Sequence, residues 1–448
     1  MKRIVFCFDG TWNRLSADTP TNVVLTAASI YRESPKGIVQ IIHYDEGVGT
    51  GRLEKFSGGM FGQGLVQNIR EAYRFLILNY DPGDELFVFG FSRGAFSART
   101  FIGLVRHVGV LRRKDVARID EAMAHYSARL KGRGGDGEAM CRFRAEYASS
   151  VCVRDSDKAW RQKNAPDCAD APPLRFKYLG VWDTVGAMGV PQVTPGSKFW
   201  NREHDFHDVE LSDFVEFGRH AVAIDERRKL FPVTLWTGVA ALNEARGFAP
   251  DALNAPYQER WFAGTHGGVG GGGDIRGLSD SALAWVIKGA KAAGLEMDLD
   301  PGSRINAINP DWRAPIDNMT AAKKGLMDRL VGDRSGPEHF WQVSPCARRR
   351  WRAKDLPGGE YRPGALKAVE AALKAEADTQ PDDIGEVEIM AHHDVVAGDN
   401  LSKLAKKHYG DASLYMHIYN ANRDVLDHWD DIYVGDRLRI PAPPPKAA

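Results

Sequence analysis

Residues 85–94 read ELFVFGFSRG and continue without a spacer into AFSARTFIGLV. An apolar run suited to a buried strand meets a helical pattern across Gly90-Phe91-Ser92-Arg93-Gly94, a G-x-S-x-G sequence in its required strand-turn-helix setting. Few architectures accept so abrupt a turn. Bulky neighbours of the serine would collide with strand and helix, which explains the two glycines and the small Ala95 after them. The turn lifts Ser92 Oγ above a sheet edge and puts it at a helix amino terminus, where the Arg93 N–H points at a developing negative charge. G-x-S-x-G also arises by chance as a Gly-rich helix-packing turn, so the flanking elements carry the argument.

Around this elbow the chain alternates strand and helix patterns. Arg3–Phe8, residues 39–44 and residues 85–89 are short apolar runs ending in Gly or Asp, as buried parallel strands do. Phe176–Trp182, residues 233–237 and residues 259–264 are further strand-like segments. Leu65, Ile69, Ala72 and Leu76 fall on one face of a helix, residues 278–294 read as another with Ser279 or Asp280 as its cap, and residues 365–377 are strong helix formers. The fold class is α/β, a mostly parallel sheet with helices on both faces. Residues 131–173 are charged and weakly periodic, a helical insertion or lid over the sheet, or else a solvated surface excursion. With 448 residues there is room for two or three domains.

A serine nucleophile needs a base and an acid that orients it, and in this fold class they come in the order Ser, Asp/Glu, His. FKYLGVWDTVG ends a strand at Asp183, and ERWFAGTHGGVGGGGD ends one at His266 in a glycine-rich loop. Competitors stand in FGRHAVAIDERRKLF, which reads as helical and carries His220, Asp225, Glu226 and Arg227, and at Asp274. The second oxyanion donor is expected after an early strand, from Gly10 or Thr11 of FCFDGTWN, with Asp9 bracing that loop; the alternative is a purely structural DGT turn.

Net charge is zero, with 59 basic and 59 acidic residues, which disfavours a nucleic-acid binder. The five cysteines are irregularly spaced without CxxC, so neither a disulfide framework, a metal site nor a cofactor is expected. No apolar run approaches the roughly 18 residues of a membrane span, and the five apolar residues 4–8 are too few for a signal peptide. Synthesis in the cytoplasm is expected, with any export through a machine that needs no signal peptide.

The motifs FDGTWN, TNV (21–23), GFSRGAFSAR, GVWDTVG, HAVAIDERR, WFAGTHGGVGGG and LSDSALAW occur in this order over some 280 residues. Together they resemble the α/β-hydrolase domain of bacterial type VI secretion phospholipase effectors, with EHFWQVSPCARRRW and YRPGAL as its closing segment. The resemblance covers roughly residues 1–375. It implies an α/β-hydrolase domain over 1–377 with an insertion near 131–173, a serine ester hydrolase of the phospholipase or lipase kind, Ser92, Asp183 and His266 as its triad, peripheral membrane contact, secretion-spike and immunity proteins as partners, and delivery into the target-cell periplasm. Where relatives often carry Ser-Asp after the histidine, this chain has Gly267 and Gly268.

After a polar segment expected to be a linker, residues 378–392, the stretch 393–442 shows two short strands flanking two amphipathic helices, with Asp399 or Asn400 as a helix cap. GDNLSKLA, IYNANRD and IYVGDRLRIP resemble a LysM domain. That resemblance implies peptidoglycan or chitin (N-acetylglucosamine) binding through Gly398, Asp399, Asn400, Asn422 and Asp431; a protein-docking or stabilising module is the alternative. The polar linker predicts that few contacts join the two parts.

Overall fold

A computed structural model of the chain describes residues 1–10, 18–47, 58–130, 137–186, 210–229, 231–298, 308–316, 331–356, 358–379, 388–396, 398–426, 428–430, 432 and 436–443. Six strands form one sheet: β1 (Arg3–Phe8), β2 (Gln40–Asp45), β3 (Glu85–Phe91), β4 (Phe176–Trp182), β5 (Val215–Ala223) and β6 (Tyr257–Phe262). Their order is β2-β1-β3-β4-β5-β6 and every pairing is parallel. All six residues of β1 are buried, because both faces of the sheet are covered. Ile4, Phe6 and Phe8 join a core under the helices Gly58–Asn79 and Arg93–Val108, whereas Val5 and Cys7 join another under Asn22–Ser29 and Gly277–Ala292. Strand alternation thus supplies both layers from one short segment. Leu65, Ile69, Ala72 and Leu76 are buried on the first of these helices, the face expected from their spacing.

Three sequence expectations differ from the structure. The stretch holding His220 is the interior strand β5, next to the edge strand β6, not a helix. A strand buried on both sides needs no alternating pattern to mark it, and pairing with β4 and β6 decides the conformation. Residues 233–237 are irregular apart from an isolated bridge between Val233 and Val185. The helix Gly277–Ala292 begins after Arg276, so Ser279 and Asp280 lie inside its first turn rather than at the cap; Asp280 pairs with Arg276 at 2.9 Å.

The insertion forms helices Glu138–Tyr147 and Asp155–Asn164; its residues 131–136 lie outside the described residues. Arg144 donates to His107 O (2.8 Å) and Arg154 to Arg106 O (3.2 Å), which ties the insertion to the carboxyl end of the helix that starts beside Ser92. Fifteen residues of helix put that end about 22 Å from the serine. Fully buried Asp157 bridges Arg144 (3.0 Å) and Arg161 (3.1 Å), and Phe143 is buried against Tyr147 and His125. In place of a lid above the sheet edge, these helices form a closed buttress at the opposite end.

The closing segment packs Val343, Trp351, Tyr361, Leu366 and Leu373 beside Trp261 of β6. Beyond it, β7 (Ile389–Asp394) and β8 (Arg437–Pro441) form an antiparallel pair around helices Leu401–Tyr409 and Tyr415–Ala421. Strand β7 begins within the expected linker, and residues 380–387 of that linker lie outside the described residues. The module has its own core of Val395, Leu401, Leu404, Ile418, Leu426, Leu438 and Ile440. It is nonetheless joined to the larger part: buried Asp424 accepts from Arg349 (3.1 Å) and from Arg439, Lys288 pairs with Asp436 (3.1 Å), and Arg439 reaches Pro310 O (3.4 Å). The expectation that few contacts cross fails here, because a polar connecting segment says nothing about the surfaces on either side of it. Among the described residues, no helix is long and apolar enough to cross a membrane.

Candidate active site

The carboxyl ends of β1, β3, β4, β5 and β6 converge on one polar cluster. Between β1 and β3 the strand order reverses, since β1 leads outward to β2 while β3 starts the other wing; such a point leaves a crevice for ligands. Ser92 comes directly after β3 with φ 58° and ψ −125°, a conformation that L residues seldom adopt. The neighbouring glycines are there for space. A Cβ on Gly94 would lie 2.2 Å from Phe8 O, and one on Gly90 would lie 2.7 Å from the Ala95 backbone. Ser92 Oγ donates to His266 Nε2 at 2.8 Å. His266 Nδ1 donates to Asp183 Oδ2 at 2.5 Å. The carboxylate can only accept, so the ring carries its proton on Nδ1 and offers Nε2 to the hydroxyl. Residues 174 and 83 positions apart are thus brought into one chain of hydrogen bonds.

His266 opens a short helix, His266–Gly270, so the two glycines after it do not leave the loop slack. Its backbone N–H donates to Glu226 Oε2 (3.2 Å), and its ring packs on Phe91 and Phe231 at 4.6 and 5.1 Å between centroids. A Cβ on Gly270 would lie 1.9 Å from the Phe91 ring, which explains glycine at that position. The TNV motif secures the same loop: Asn22 Nδ2 donates to Val269 O (2.9 Å), and Thr21 donates to Asp9 Oδ2 (2.7 Å) while capping its helix. Ser92 and His266 keep 6% and 7% of their surface exposed, whereas Asp183 keeps none.

Burial alone would push the Asp183 carboxyl up, but the guanidinium of Arg334 and the imidazole of His266 more than reverse this and hold it well below the usual carboxylate range. Arg334 donates to both oxygens, Nη1 to Oδ1 at 2.6 Å and Nη2 to Oδ2 at 3.0 Å, and Ala223 N–H adds a bond to Oδ1 at 2.9 Å. Nothing in the spacing of VGDRSGPEHFW links Arg334 to a strand end 151 positions earlier. The pair exists only because the closing segment returns along the carboxyl edge.

The competitors fall elsewhere. Asp225 accepts from Gly264 N (2.7 Å) and Tyr361 OH (2.9 Å), and burial holds its carboxyl above the ordinary value, opposite in direction to Asp183. His220 is fully buried, donating from Nδ1 to Glu259 (2.9 Å) and accepting the Thr184 N–H at Nε2 (3.2 Å). It therefore fixes the backbone just after Asp183, whose φ is 38°. Glu226 pairs with Arg228, Arg227 with Asp333, and Asp274 is exposed.

Arg93 is the first residue of its helix, so its N–H precedes the hydrogen-bond ladder and lies beside Ser92. The Gly10 N–H is engaged otherwise, donating to its own Asp9 Oδ1 at 2.6 Å, which corrects the expectation that it faces an oxyanion; Asp9 does brace the loop. Thr11 lies outside the described residues. In the small module, Asn400 caps the helix Leu401–Tyr409 and Asp399 accepts from His393 (2.9 Å) and Val396 N (2.9 Å). Gly398 is exposed at φ 90°. Asn422 is fully buried and bonded to Ile418 O, Arg439 O and Arg439 N, so its side chain is no ligand contact, contrary to expectation. Asp431 lies outside the described residues.

An α/β protein built on an all-parallel six-stranded sheet is thereby defined, with its polar cluster at the carboxyl edge of that sheet. The chain belongs to the Tle1-like phospholipase effector family of type VI secretion: the model of that family's catalytic domain matches residues 2–289. Among curated proteins, the uncharacterized protein YEL023C of Saccharomyces cerevisiae is 26% identical over 253 residues, 53% of this chain and 33% of that protein. The potassium binding protein Kbp of Escherichia coli is 49% identical over 47 residues, 10% of this chain and 32% of that protein. The chain thus spans about a third of the length of these relatives. Two solved structures resemble part of it: the Tle1 effector bound to the VgrG spike of the type 6 secretion system (18% identity, TM-score 0.32, 60% of this chain and 52% of that one) and an uncharacterized protein from Pseudomonas aeruginosa (17% identity, TM-score 0.36, 70% and 49%).

Proposed function

We propose that the chain is a serine hydrolase of carboxylic esters, acting on phospholipid acyl esters as an antibacterial type VI effector. The observation that carries this reading is the Ser92–His266–Asp183 hydrogen-bond chain at a strained strand-to-helix turn. In the first half-reaction Ser92 Oγ attacks the ester carbonyl while its proton passes to His266 Nε2. Negative charge develops on the carbonyl oxygen, and the Arg93 N–H at the helix amino terminus is placed to stabilise it. Collapse breaks the ester C–O bond, and His266 returns the proton to the leaving alcohol. A water molecule then repeats the sequence on the acyl-enzyme, giving the carboxylic acid and free Ser92. Asp183 stays ionised throughout and keeps the ring in the productive tautomer.

The preference for lipid over a soluble ester rests on family membership, because the insertion lies far from the serine. A secretion spike, an immunity protein and the periplasm of a target cell rest on the same membership as proposals. For the βααβ module we propose a LysM-like fold, with glycan contact confined to the loop at Gly398–Asn400.

The test is hydrolysis of phospholipid vesicles and of a short-chain soluble ester by the purified protein and its Ser92→Ala variant, with fluorophosphonate labelling. Loss of turnover by about 10³-fold or more, together with loss of label, is expected for Ser92→Ala. Unchanged turnover or labelling would remove Ser92 as nucleophile, and cleavage of the soluble ester without any phospholipid hydrolysis would favour a plain esterase.

A further inference from the structure

We propose that Arg334 is a positioning residue of the active site, contributed by the closing segment to hold Asp183 as an oriented anion and to limit how much positive charge the site accepts. The proposal rests on the serine-hydrolase reading above. The side chain of Arg334 is 7% exposed and that of Asp183 is not exposed at all. Its fork takes both carboxylate oxygens and also donates to Ala223 O (3.0 Å) and Phe231 O (2.9 Å). These two carbonyls belong to the end of β5 and to the loop whose Phe231 ring lies on His266. One guanidinium therefore fixes the plane of the carboxylate, the end of a neighbouring strand and one wall of the imidazole pocket. A planar, bidentate donor suits this work, and an ammonium group does not reproduce it.

The segment that carries Arg334 is itself held in place. Val331 bridges Arg228, Gly332 N donates to Arg227 O (2.8 Å), and Asp333 pairs with Arg227 (2.8 Å). Gly336 has φ 78°, and a Cβ there would lie 1.7 Å from Ala365 O. Val343 then bridges Trp261 of β6. Residues 331–343 themselves lie outside residues 2–289, the stretch that matches the family's catalytic domain, although their partners Arg227, Arg228 and Trp261 lie within it.

The charge arithmetic gives the consequence. With Arg334 present, the Asp183–Arg334–His266 group is neutral when the imidazole is neutral, and it becomes cationic when the ring takes a proton. Without Arg334 the same proton neutralises a buried negative charge and is bound more readily. Among the described residues, Glu226 from the loop after β5 also faces His266, and its carboxylate is already paired with Arg228 at 2.7 Å. Arg334 thus balances the negative charge that an unguarded Asp–His pair would present to the imidazole.

Steady-state kinetics of the full chain on a soluble ester, between pH 4.5 and 9, test this with R334M and R334K. For R334M, kcat is expected to fall by about 100-fold with KM within about twofold of wild type, and the acid limb of kcat/KM to move up by about 1 pH unit. R334K keeps the charge but loses the fork, so its acid limb should return to the wild-type position while kcat stays about tenfold low. Wild-type kcat in R334M overturns the proposal, as does an unmoved acid limb in that variant. Should R334M fail to fold, R334K decides: a loss confined to kcat at an unmoved acid limb supports the proposal, whereas wild-type kcat or a loss confined to KM overturns it. If the wild type neither turns over esters nor takes a fluorophosphonate label at Ser92, the hydrolase reading falls and this proposal with it; normal wild-type turnover with unaffected variants removes Arg334 alone.

Discussion

Asp183 and Asp424 are both carboxylates without solvent exposure, and both are gripped by arginine. Asp183 stands at the carboxyl edge of the sheet, Asp424 where the small module meets the helix Pro345–Arg352. Their surroundings differ most in the kind of partner each one holds. The further partners of Asp424 are guanidiniums, Arg349 and Arg439, which do not give up protons at any working pH, whereas Asp183 also holds an imidazole whose other nitrogen touches a hydroxyl. Asp157 in the insertion, between Arg144 and Arg161, resembles Asp424 rather than Asp183. A buried charge is therefore not by itself a sign of chemistry; a titratable partner in contact with a reacting atom is.

The largest effect should come from breaking the Asp183 chain where it moves protons. His266→Ala is expected to cost about as much turnover as Ser92→Ala, and Asp183→Asn about 10³–10⁴-fold, since these groups act as a unit. Single-turnover measurements of ester cleavage check both. If Asp225→Asn proved more damaging than Asp183→Asn, the acid would have to be reassigned.

Asp424→Asn should do the reverse. Removing the anion leaves two arginines at a buried junction, and a stability loss of about 3–5 kcal/mol in urea unfolding is expected, with kcat on a soluble ester unchanged in the folded fraction. A loss of kcat would show that the junction reaches the site. Ending the chain at Ala377 should cost less, about 1–2 kcal/mol, because Arg349 and Lys288 then regain water instead of staying buried without a partner. A truncated chain that proved insoluble would show that the two parts share more than this ionic contact.

The smallest effect concerns pH. The Asp183 carboxyl is held down in the folded protein relative to an unfolded value of about 3.9. Its contribution to stability is therefore complete above about pH 4 and is lost only as pH falls through the lower folded value. The difference in unfolding free energy between wild type and Asp183→Asn should not shrink as pH falls from 8 to 5. A difference that shrank between pH 7 and pH 5 would mean that Asp183 takes up a proton there, against the charge arrangement with Arg334.

The elbow could be read from the chain because its determinants are local: an apolar run, small residues and a helix pattern, all within residues 85–105. Strand ends carrying Asp183 and His266 were legible for a related reason. Strands buried on both faces are short apolar runs, and the first polar residues after such a run lie at the sheet edge. The same code misled at β5, where Gly218, Arg219 and His220 interrupt the apolar run and only pairing with β4 and β6 makes a strand. The LysM resemblance places Asn422 among the glycan contacts, but the structure buries it, and three backbone hydrogen bonds make that burial tolerable.

The sequence by itself determined the α/β class, the strand-to-helix turn at Ser92 and the order of the residues that meet there, because each depends on neighbours a few positions away. Only the tertiary structure decided that Arg334 grips Asp183, that Gly10 gives its N–H to Asp9, that the insertion buttresses the far end of the elbow helix, and that Asp424 joins the small module to the rest. These are contacts between side chains or carbonyls whose separation along the chain carries no period. They exist because burying an ionised or polar group is tolerable only where a partner waits, and where it waits is settled by how the sheet, the closing segment and the module pack.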